Sequence, residues 1–475
     1  MKTWQNKYCS VVFAVGIAML YAGFSAVAAT ISWSPNANGG DGVTWSTGNT
    51  NWNTTLDNPW NSSSRNFANI GAGNPTLTGT IYAGGISCSG NISGSGQLRI
   101  YSGGNSTISG NVASTIDLVA ASSNTLTLSG NYINHNGWTI RQPTTLRLDC
   151  FNAMTSNTST ALVNDTLVNG NYINPGITFE LAAEDENFVT ATWWQPFTSL
   201  TFAAIGAHRR ATIVTSGSNL FNWTMAGNLI LGNSNSTHTL IWTSSTNLRS
   251  GMNYSGNCIS VVNGAAAIGG EIYGNIVGYP GDKLTKSNSG TLQLSGNNIY
   301  SGETTVAAGT LLVGGYLSAS CNTMVNSGSI LGGNGLISGN INILNGGTMA
   351  AGNVDHIGSL ICGANITWES SSANNHVYIS GANGIYYNQI TATAGVVSLN
   401  NATLVLNDTN ATENPAYVVI VDNQTSNAIS GIFNGLPNGA TVTSLSGRKW
   451  LISYTGGTGN DIVLYRPRGM MIRFY

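Results

Sequence analysis

The amino-acid sequence predicts an all-β fold, a parallel β-helix (solenoid) with a β-rich C-terminal module, on three observations. First, the tripeptide SGN starts at Ser89, Ser109 and Ser129, 20 residues apart each time, and returns at Ser255, Ser295 and Ser338. NYIN, at Asn131 and again at Asn171, repeats at twice that interval. Such a beat is too long for a hairpin and too short for a domain, but it suits one coil of a stack. Second, apolar and polar residues alternate over short runs such as Thr291-Leu292-Gln293-Leu294, each followed by a Gly or Asn turn. Gly and Asn tolerate the positive φ such corners need. Third, 60 of 475 residues are Gly and only 7% are charged, against roughly 25% charged in an average soluble domain. Like charges stacked coil upon coil would repel, so a solenoid favours this balance.

The remaining composition narrows the classes. With 41% hydrophobic residues and 12 Trp, the chain can bury a core and is not of the disordered type. A formal net charge of −2 gives no electrostatic case for nucleic acid or an anionic membrane as partner. If every residue followed the beat, up to about 22 coils would stack into a rod of order 100 Å. Asn and Thr at repeated positions are expected to form side-chain ladders. A set of β-sandwiches is the alternative, mainly for the C-terminal third, where the beat fades. Residues 181–189 are the best candidate for a short helical turn.

Taken in order, residues 1–29 read as a secretory signal peptide. Lys2 and Lys7 supply its charge, residues 11–21 its apolar run, and Ala26-Val27-Ala28-Ala29 its cleavage site, after Ala28 or Ala29. Residues 30–80 form a Trp-rich N-terminal cap, with Trp33, Trp45, Trp52 and Trp60. Residues 81–281 are β-helix coils, 282–353 the coils where the motif is clearest, 354–465 a C-terminal β module, and 466–475 a basic tail carrying Arg466, Arg468 and Arg473. No later apolar run is long enough for a membrane-spanning helix, so no transmembrane segment is expected in the mature chain. Beyond Cys9, within the signal, Cys88, Cys150, Cys258, Cys321 and Cys362 are widely spaced without a CxxC pair. They are expected to be small core residues rather than a metal cluster or a disulfide framework.

The segment SGTLQLSGNNIYSGETTVAAGTLLVGG, residues 289–315, resembles the autotransporter-associated β-strand repeat, also called the passenger-associated transport repeat. The pattern G-T-L-x-L-S-G-x-N-x-Y-x-G-x-T-T-V-x-x-G-T-L is met by Gly290, Thr291, Leu292, Leu294, Ser295, Gly296, Asn298, Tyr300, Gly302, Thr304, Thr305, Val306, Gly309, Thr310 and Leu311. A weaker copy begins at Asn124 with NTLTLSGNYIN. The Trp-rich opening, the GSILGGNGLISGNINILNGGTMAAGN stretch and the module ending in WLISYTGGTGNDIVL are similar to the surroundings of that repeat in secreted bacterial proteins. The resemblance implies a right-handed parallel β-helix, exported and displayed on or released from the cell surface. It implies a repeat that assists passage through the outer membrane, and it brings no catalytic residues and no cofactor. Autotransporters continue into a translocator barrel, whereas this sequence runs into RPRGMMIRFY. Separate export machinery, or a truncated product, is therefore expected.

Four groups of residues are candidate sites. GGTGNDIVL, residues 456–464, fits the calcium-binding nonapeptide of β-rolls. It occurs once, however, and Asp461 alone cannot supply six to eight oxygens. The expected role is a Gly-rich turn, with Asn460-Asp461 at the corner, leading into a last strand over residues 462–465. Glu184, Asp185 and Glu186 form the one acidic run, with Glu180 nearby. His208, Arg209 and Arg210 follow about one coil later, so an acidic and a basic group could adjoin. That pattern would suit a lyase- or glycosidase-like polysaccharide site, or simply a solvated ion pair. Trp193 and Trp194, with the N-terminal Trp residues, suit either end-capping or stacking on sugars. His135, His208, His238, His356 and His376 show no metal-ligand spacing, and neither a hydrolase elbow nor a P-loop occurs. The expectation is a non-enzymatic surface, matrix or adhesin-like protein. A polysaccharide-active or glycan-binding β-helix is the alternative, and cell-surface or environmental glycans are the candidate partner.

Overall fold

The computed structural model describes residues 30–33, 44–46, 66–100, 105–112, 115–117, 125–129, 144–148, 167–168, 171–172, 177–181, 186–190, 199–206, 210–215, 220–223, 228–243, 245–248, 257–278, 281–318, 320–353, 357–380, 386–409 and 415–467. Within them the chain winds as a parallel β-helix with three faces. The first face is one sheet of 16 strands, from Thr30–Ser32 to Val397–Ser398, and each neighbouring pair in it is parallel. At ~4.8 Å per coil this face is about 70 Å long.

The second and third faces follow the first in each turn. Leu284–Ser287 lies on the first, Thr291–Leu294 on the second and Asn297–Asn298 on the third. Thr304–Val306, Thr310–Val313 and Tyr316–Leu317 repeat the circuit one coil on, in register. The first sheet passes residues 281–282 and 353–354 without interruption.

The 20-residue beat is a real coil length where the sequence announced it. Ser87 pairs with Thr107, Thr107 with Thr127 and Thr127 with Arg147, each 20 positions apart. Leu284 and Thr304 restore that interval. Between them the coils swell: Arg147 meets Glu180, 33 residues away. The extra residues lie between strands, so the stack has fewer coils than the 22 obtained by dividing the chain evenly. Inward positions of these longer coils are mostly apolar. Phe179 stacks on Phe202 at 5.1 Å, and Trp242 meets Phe202 edge-on at 5.3 Å.

The SGN triplets mark corners where successive coils touch. A Cβ on Gly110 would lie 1.8 Å from the carbonyl oxygen of Gly90 one coil below, so only glycine fits. The asparagine that follows bonds along the stack. The Asn91 N–H donates to Asn74 Oδ1 at 2.7 Å, and the Asn111 N–H to Asn91 Oδ1 at 2.9 Å. A second ladder runs from Asn340 through Asn365 to Val396.

The C-terminal third is the same solenoid, not a sandwich. Asn374–Ser380 pairs in parallel with Thr403–Asn407, and Tyr386–Ala392 with Tyr417–Asn423. The stack then closes. Tyr417–Asn423 pairs antiparallel with Asp461–Tyr465, which pairs antiparallel with Lys449–Gly456, and that strand with Thr441–Thr443. The reversed strands cover Phe433 and Trp450, both fully buried.

The short helical turn expected over residues 181–189 is flanked by strands: Leu181 ends the strand Ile177–Leu181, Glu186–Thr190 is a strand of the second face, and residues 182–185 lie outside the described residues. Phe179 and Leu181 both point inward and are buried, the alternation of a strand.

Candidate functional site

The repeat coils are joined by both apolar packing and buried hydrogen bonds. Leu284, Leu292, Leu294, Val306 and Leu311 fill the interior with no exposed surface, while Thr291, Thr305 and Thr310 alternate outward. Asn298 also points inward, and its amide ties three coils together. Its Nδ2 donates to Gly296 O and Tyr316 O, both at 3.0 Å, and its Oδ1 accepts from the Ile276 N–H at 3.0 Å. Tyr300 is fully buried; its hydroxyl meets Thr304 Oγ1 at 2.6 Å, and Thr304 Oγ1 meets Cys321 Sγ at 2.8 Å. Burial pushes both the Tyr300 and Cys321 groups above their ordinary values. On the outside, Ser295 Oγ and Gln293 Nε2 converge on Glu271 Oε1. Gly290, Gly296 and Gly302 each pass so close to a carbonyl of the preceding coil that no Cβ fits.

Sequence reasoning missed Lys286. It sits on the first face at an inward position with no exposed surface. Its Nζ donates to the carbonyl oxygens of Asn288 at 2.6 Å and Ala308 at 2.7 Å, and to that of Gly290. A Cβ on Gly309, whose φ is +67°, would come within 2.4 Å of that ammonium. Lysine and the motif glycine are thus one device, which clips the corner before Thr291–Leu294 to the coil above. The available signal was a lysine at an inward position of an alternating Leu-Thr-Lys-Ser strand. Burial lowers its amine to about 8.

The acidic and basic runs are placed only in part. Glu184, Asp185, Trp193, Trp194 and Arg209 lie outside the described residues, and for Glu186 and Arg210 the backbone alone is described. The strands Glu186–Thr190 and Arg210–Thr215 are neighbours on the second face, with Glu186 opposite Ala211. Of the two runs, only Glu186 and Arg210 are placed, on neighbouring strands and one position out of register; His208 also lies outside the described residues.

Glu180 is resolved in detail, and its carboxylate is fully engaged. Oε2 accepts from Arg147 Nε at 3.0 Å and Nη2 at 2.6 Å. Oε1 accepts from Asn233 Nδ2 at 3.0 Å and Asn235 Nδ2 at 2.9 Å. Asn233 and Asn235 belong to a loop that folds over the outer face and leaves Glu180 2% exposed. Burial alone would raise this carboxyl. The hydrogen bonds from Asn235, Arg147 and Asn233, with the charge of Arg147, outweigh it and hold the group below its ordinary 4.5. Arg147, Asn233 and Asn235 were not legible, because the coil spacings that join them to Glu180 depart from the beat. The arrangement is a strap, with no lone pair of Glu180 directed to solvent.

The GGTGNDIVL segment is a turn between antiparallel strands, Lys449–Gly456 and Asp461–Tyr465. A β-roll calcium site needs consecutive parallel turns. The Asp461 carboxylate instead accepts backbone N–H groups, from Asn423 at 2.9 Å and Thr458 at 3.3 Å. Among the described residues no cluster of His, Cys, Asp and Glu has the geometry of a metal site, and no helix is long and apolar enough to cross a membrane. Trp33 and Trp45 are buried at the N-terminal end of the stack; Trp52 and Trp60 lie outside the described residues, as do residues 1–29. Cys88, Cys321 and Cys362 are buried free thiols and Cys258 a half-buried one. Burial pushes Cys88 up to about 11 and Cys362 to about 12, which leaves them unreactive.

Comparison with curated proteins finds no match to the chain. The family comparison matches the Lys286–Asn298–Tyr300 coils described above: residues 284–313 fit the model of the Passenger-associated-transport-repeat, and this segment is such a repeat.

Proposed function

We propose that this protein is an exported, non-enzymatic passenger, a structural or adhesin-like rod at the cell surface or in the extracellular matrix. The observation that carries the reading is the passenger-type repeat at residues 284–313, set within one continuous parallel stack. Three charged groups of the described residues are spent on holding the stack together: Glu180 on a strap, Asp461 on two backbone N–H groups, Lys286 on three carbonyls. A signal peptide over residues 1–29 is the proposed address, and other proteins supply the export machinery.

The test is expression of the full chain in a bacterial host, followed by fractionation and N-terminal mass analysis. Recovery outside the inner membrane with an N-terminus at residue 29 or 30 is expected. Recovery only inside the cell, with residue 1 retained, would overturn the reading. Assay against a panel of polysaccharides is expected to show no chain cleavage. Cleavage abolished by Arg209→Ala with Arg210→Ala would establish the enzymatic alternative.

A further inference from the structure

Five Asn–Gly pairs fall among the described residues: Asn263–Gly264, Asn334–Gly335, Asn345–Gly346, Asn434–Gly435 and Asn438–Gly439. At such a pair a chain can react with itself. The glycine N–H is the nucleophile, the asparagine side-chain carbonyl is the electrophile, and glycine has no Cβ to hinder the approach. A hydrogen bond on either group must break before they meet.

Four of the pairs are held. Asn263 Oδ1 accepts from the Thr291 N–H at 2.6 Å, and its Nδ2 donates to Ala267 O at 3.0 Å. The Gly335 N–H donates to Val313 O at 2.8 Å. Asn345 Oδ1 accepts from Ser370 Oγ, and the Gly346 N–H donates to Ser372 O at 3.1 Å. Asn438 Oδ1 accepts from the Tyr454 N–H at 3.1 Å, and the Gly439 N–H donates to Ile452 O at 2.8 Å.

Asn434–Gly435 differs. It is the tip of a tight turn that the Leu436 N–H closes on Phe433 O at 3.0 Å, with Gly435 at a φ of +68°. Both residues are exposed, and no atom lies within 4 Å of a Cβ placed on Gly435. Among the described residues neither the Asn434 side chain nor the Gly435 N–H has a hydrogen-bond partner. The flanks of the turn are fixed instead. Tyr454 Oη accepts from the Phe433 N–H at 3.0 Å and donates to Leu436 O at 2.7 Å, and Phe433 is fully buried.

We propose that Asn434–Gly435 is a site of spontaneous deamidation in the C-terminal closure. The Gly435 nitrogen attacks Asn434 Cγ, and the new C–N bond closes a cyclic imide. The Cγ–Nδ2 bond breaks, and Nδ2 leaves as ammonia with the proton that Gly435 gives up. Water then opens the imide at either carbonyl, to aspartate or isoaspartate. Both products add a carboxylate. Isoaspartate also adds a carbon to the main chain between Phe433 and Leu436, the two residues that Tyr454 clamps. None of this depends on the proposed function.

The purified full chain is held in mildly alkaline buffer for weeks, and peptide mapping by mass spectrometry follows conversion at each pair. Asn434 is expected to convert about fivefold faster than any of the other four, the factor set by breaking one hydrogen bond first. Labelling by isoaspartyl methyltransferase should fall on the same peptide. In guanidinium, where the fold is lost, the five rates should converge. Asn434→Gln, whose longer side chain closes a less favourable ring, should lose the modification with melting temperature unchanged. Equal rates in the folded chain, faster conversion at a held pair, or the same ranking in the unfolded chain would each overturn the proposal.

Discussion

At the scale of single residues, the stack is joined by polar side chains that face the wrong way for a simple β-pattern. Asn298 is the clearest case: removing its amide takes the partner from the Ile276 N–H and the Tyr316 carbonyl, while the Gly296 carbonyl keeps the Tyr316 N–H at 3.1 Å. A buried unsatisfied group costs about 1–3 kcal/mol. Asn298→Ala is therefore expected to lower unfolding free energy by about 3 kcal/mol in denaturant titration, and Asn298→Leu, which fills the space, to do no better. Glu180 makes a second prediction, with a defined sign. Its folded carboxyl lies below its ordinary 4.5, so the unfolded chain takes up the proton first as pH falls. Its stabilisation is thus complete above about pH 5 and is lost as pH drops through the folded value. Melting curves of the parent and of Glu180→Gln should differ most at neutral pH and converge toward pH 3. A constant gap would show that the Arg147, Asn233 and Asn235 contacts carry no charge dependence.

At the scale of elements, the unit is the coil, and its corners decide whether a coil can stack. Gly309 combines a positive φ with contact on the Lys286 ammonium. Gly309→Ala should therefore strain the backbone and displace the clip together, costing about 1–3 kcal/mol. In the background Lys286→Met the same change should cost less, since the contact is already gone; a double-mutant cycle in urea measures the difference. This pair also explains what was legible in the sequence. Gly309 belongs to a motif that repeats, and the beat that revealed the fold is the beat of such corners: SGN recurs because Gly110 must pass over Gly90 and Asn111 must bond to Asn91. The inward place of Lys286 could be read from its alternating strand, but its role could not, because its partners are backbone carbonyls, which have no letter in the sequence. The Glu180 strap was hidden for a different reason. Its contacts span 33, 53 and 55 positions, in coils whose lengths vary with their loops, and no periodic pattern predicts those offsets.

At the scale of the whole molecule, a solenoid has two ends, and each must be closed or it becomes a template for another chain. The C-terminal end is closed by reversing strand direction, so the last parallel strand, Tyr417–Asn423, offers its free edge to an antiparallel neighbour from the same chain. Trp450 seals this closure. It is fully buried, its Nε1 donates to Asp408 Oδ2 at 3.4 Å, and the Arg466 guanidinium lies 4.5 Å from its ring centre. Burial alone would raise the Asp408 carboxyl, but hydrogen bonds from Ser446, Ser444 and Trp450, and the charge of Arg448, hold it below its ordinary 3.8. Trp450→Ala removes the largest side chain beneath the cap and one partner of a buried carboxylate, a loss of about 3–5 kcal/mol. Because each coil contacts only its neighbours, that loss should not spread evenly through the rod. A separate early transition is expected, in which the cap opens while the repeat coils around Asn298 stay folded. The opened molecule then presents the edge of Tyr417–Asn423 and should associate end to end, so that the early transition becomes concentration-dependent. Calorimetry with sedimentation velocity at several protein concentrations measures both effects. A single cooperative transition at a lower temperature, with the protein monomeric throughout, would mean that the cap and the coils fold as one unit.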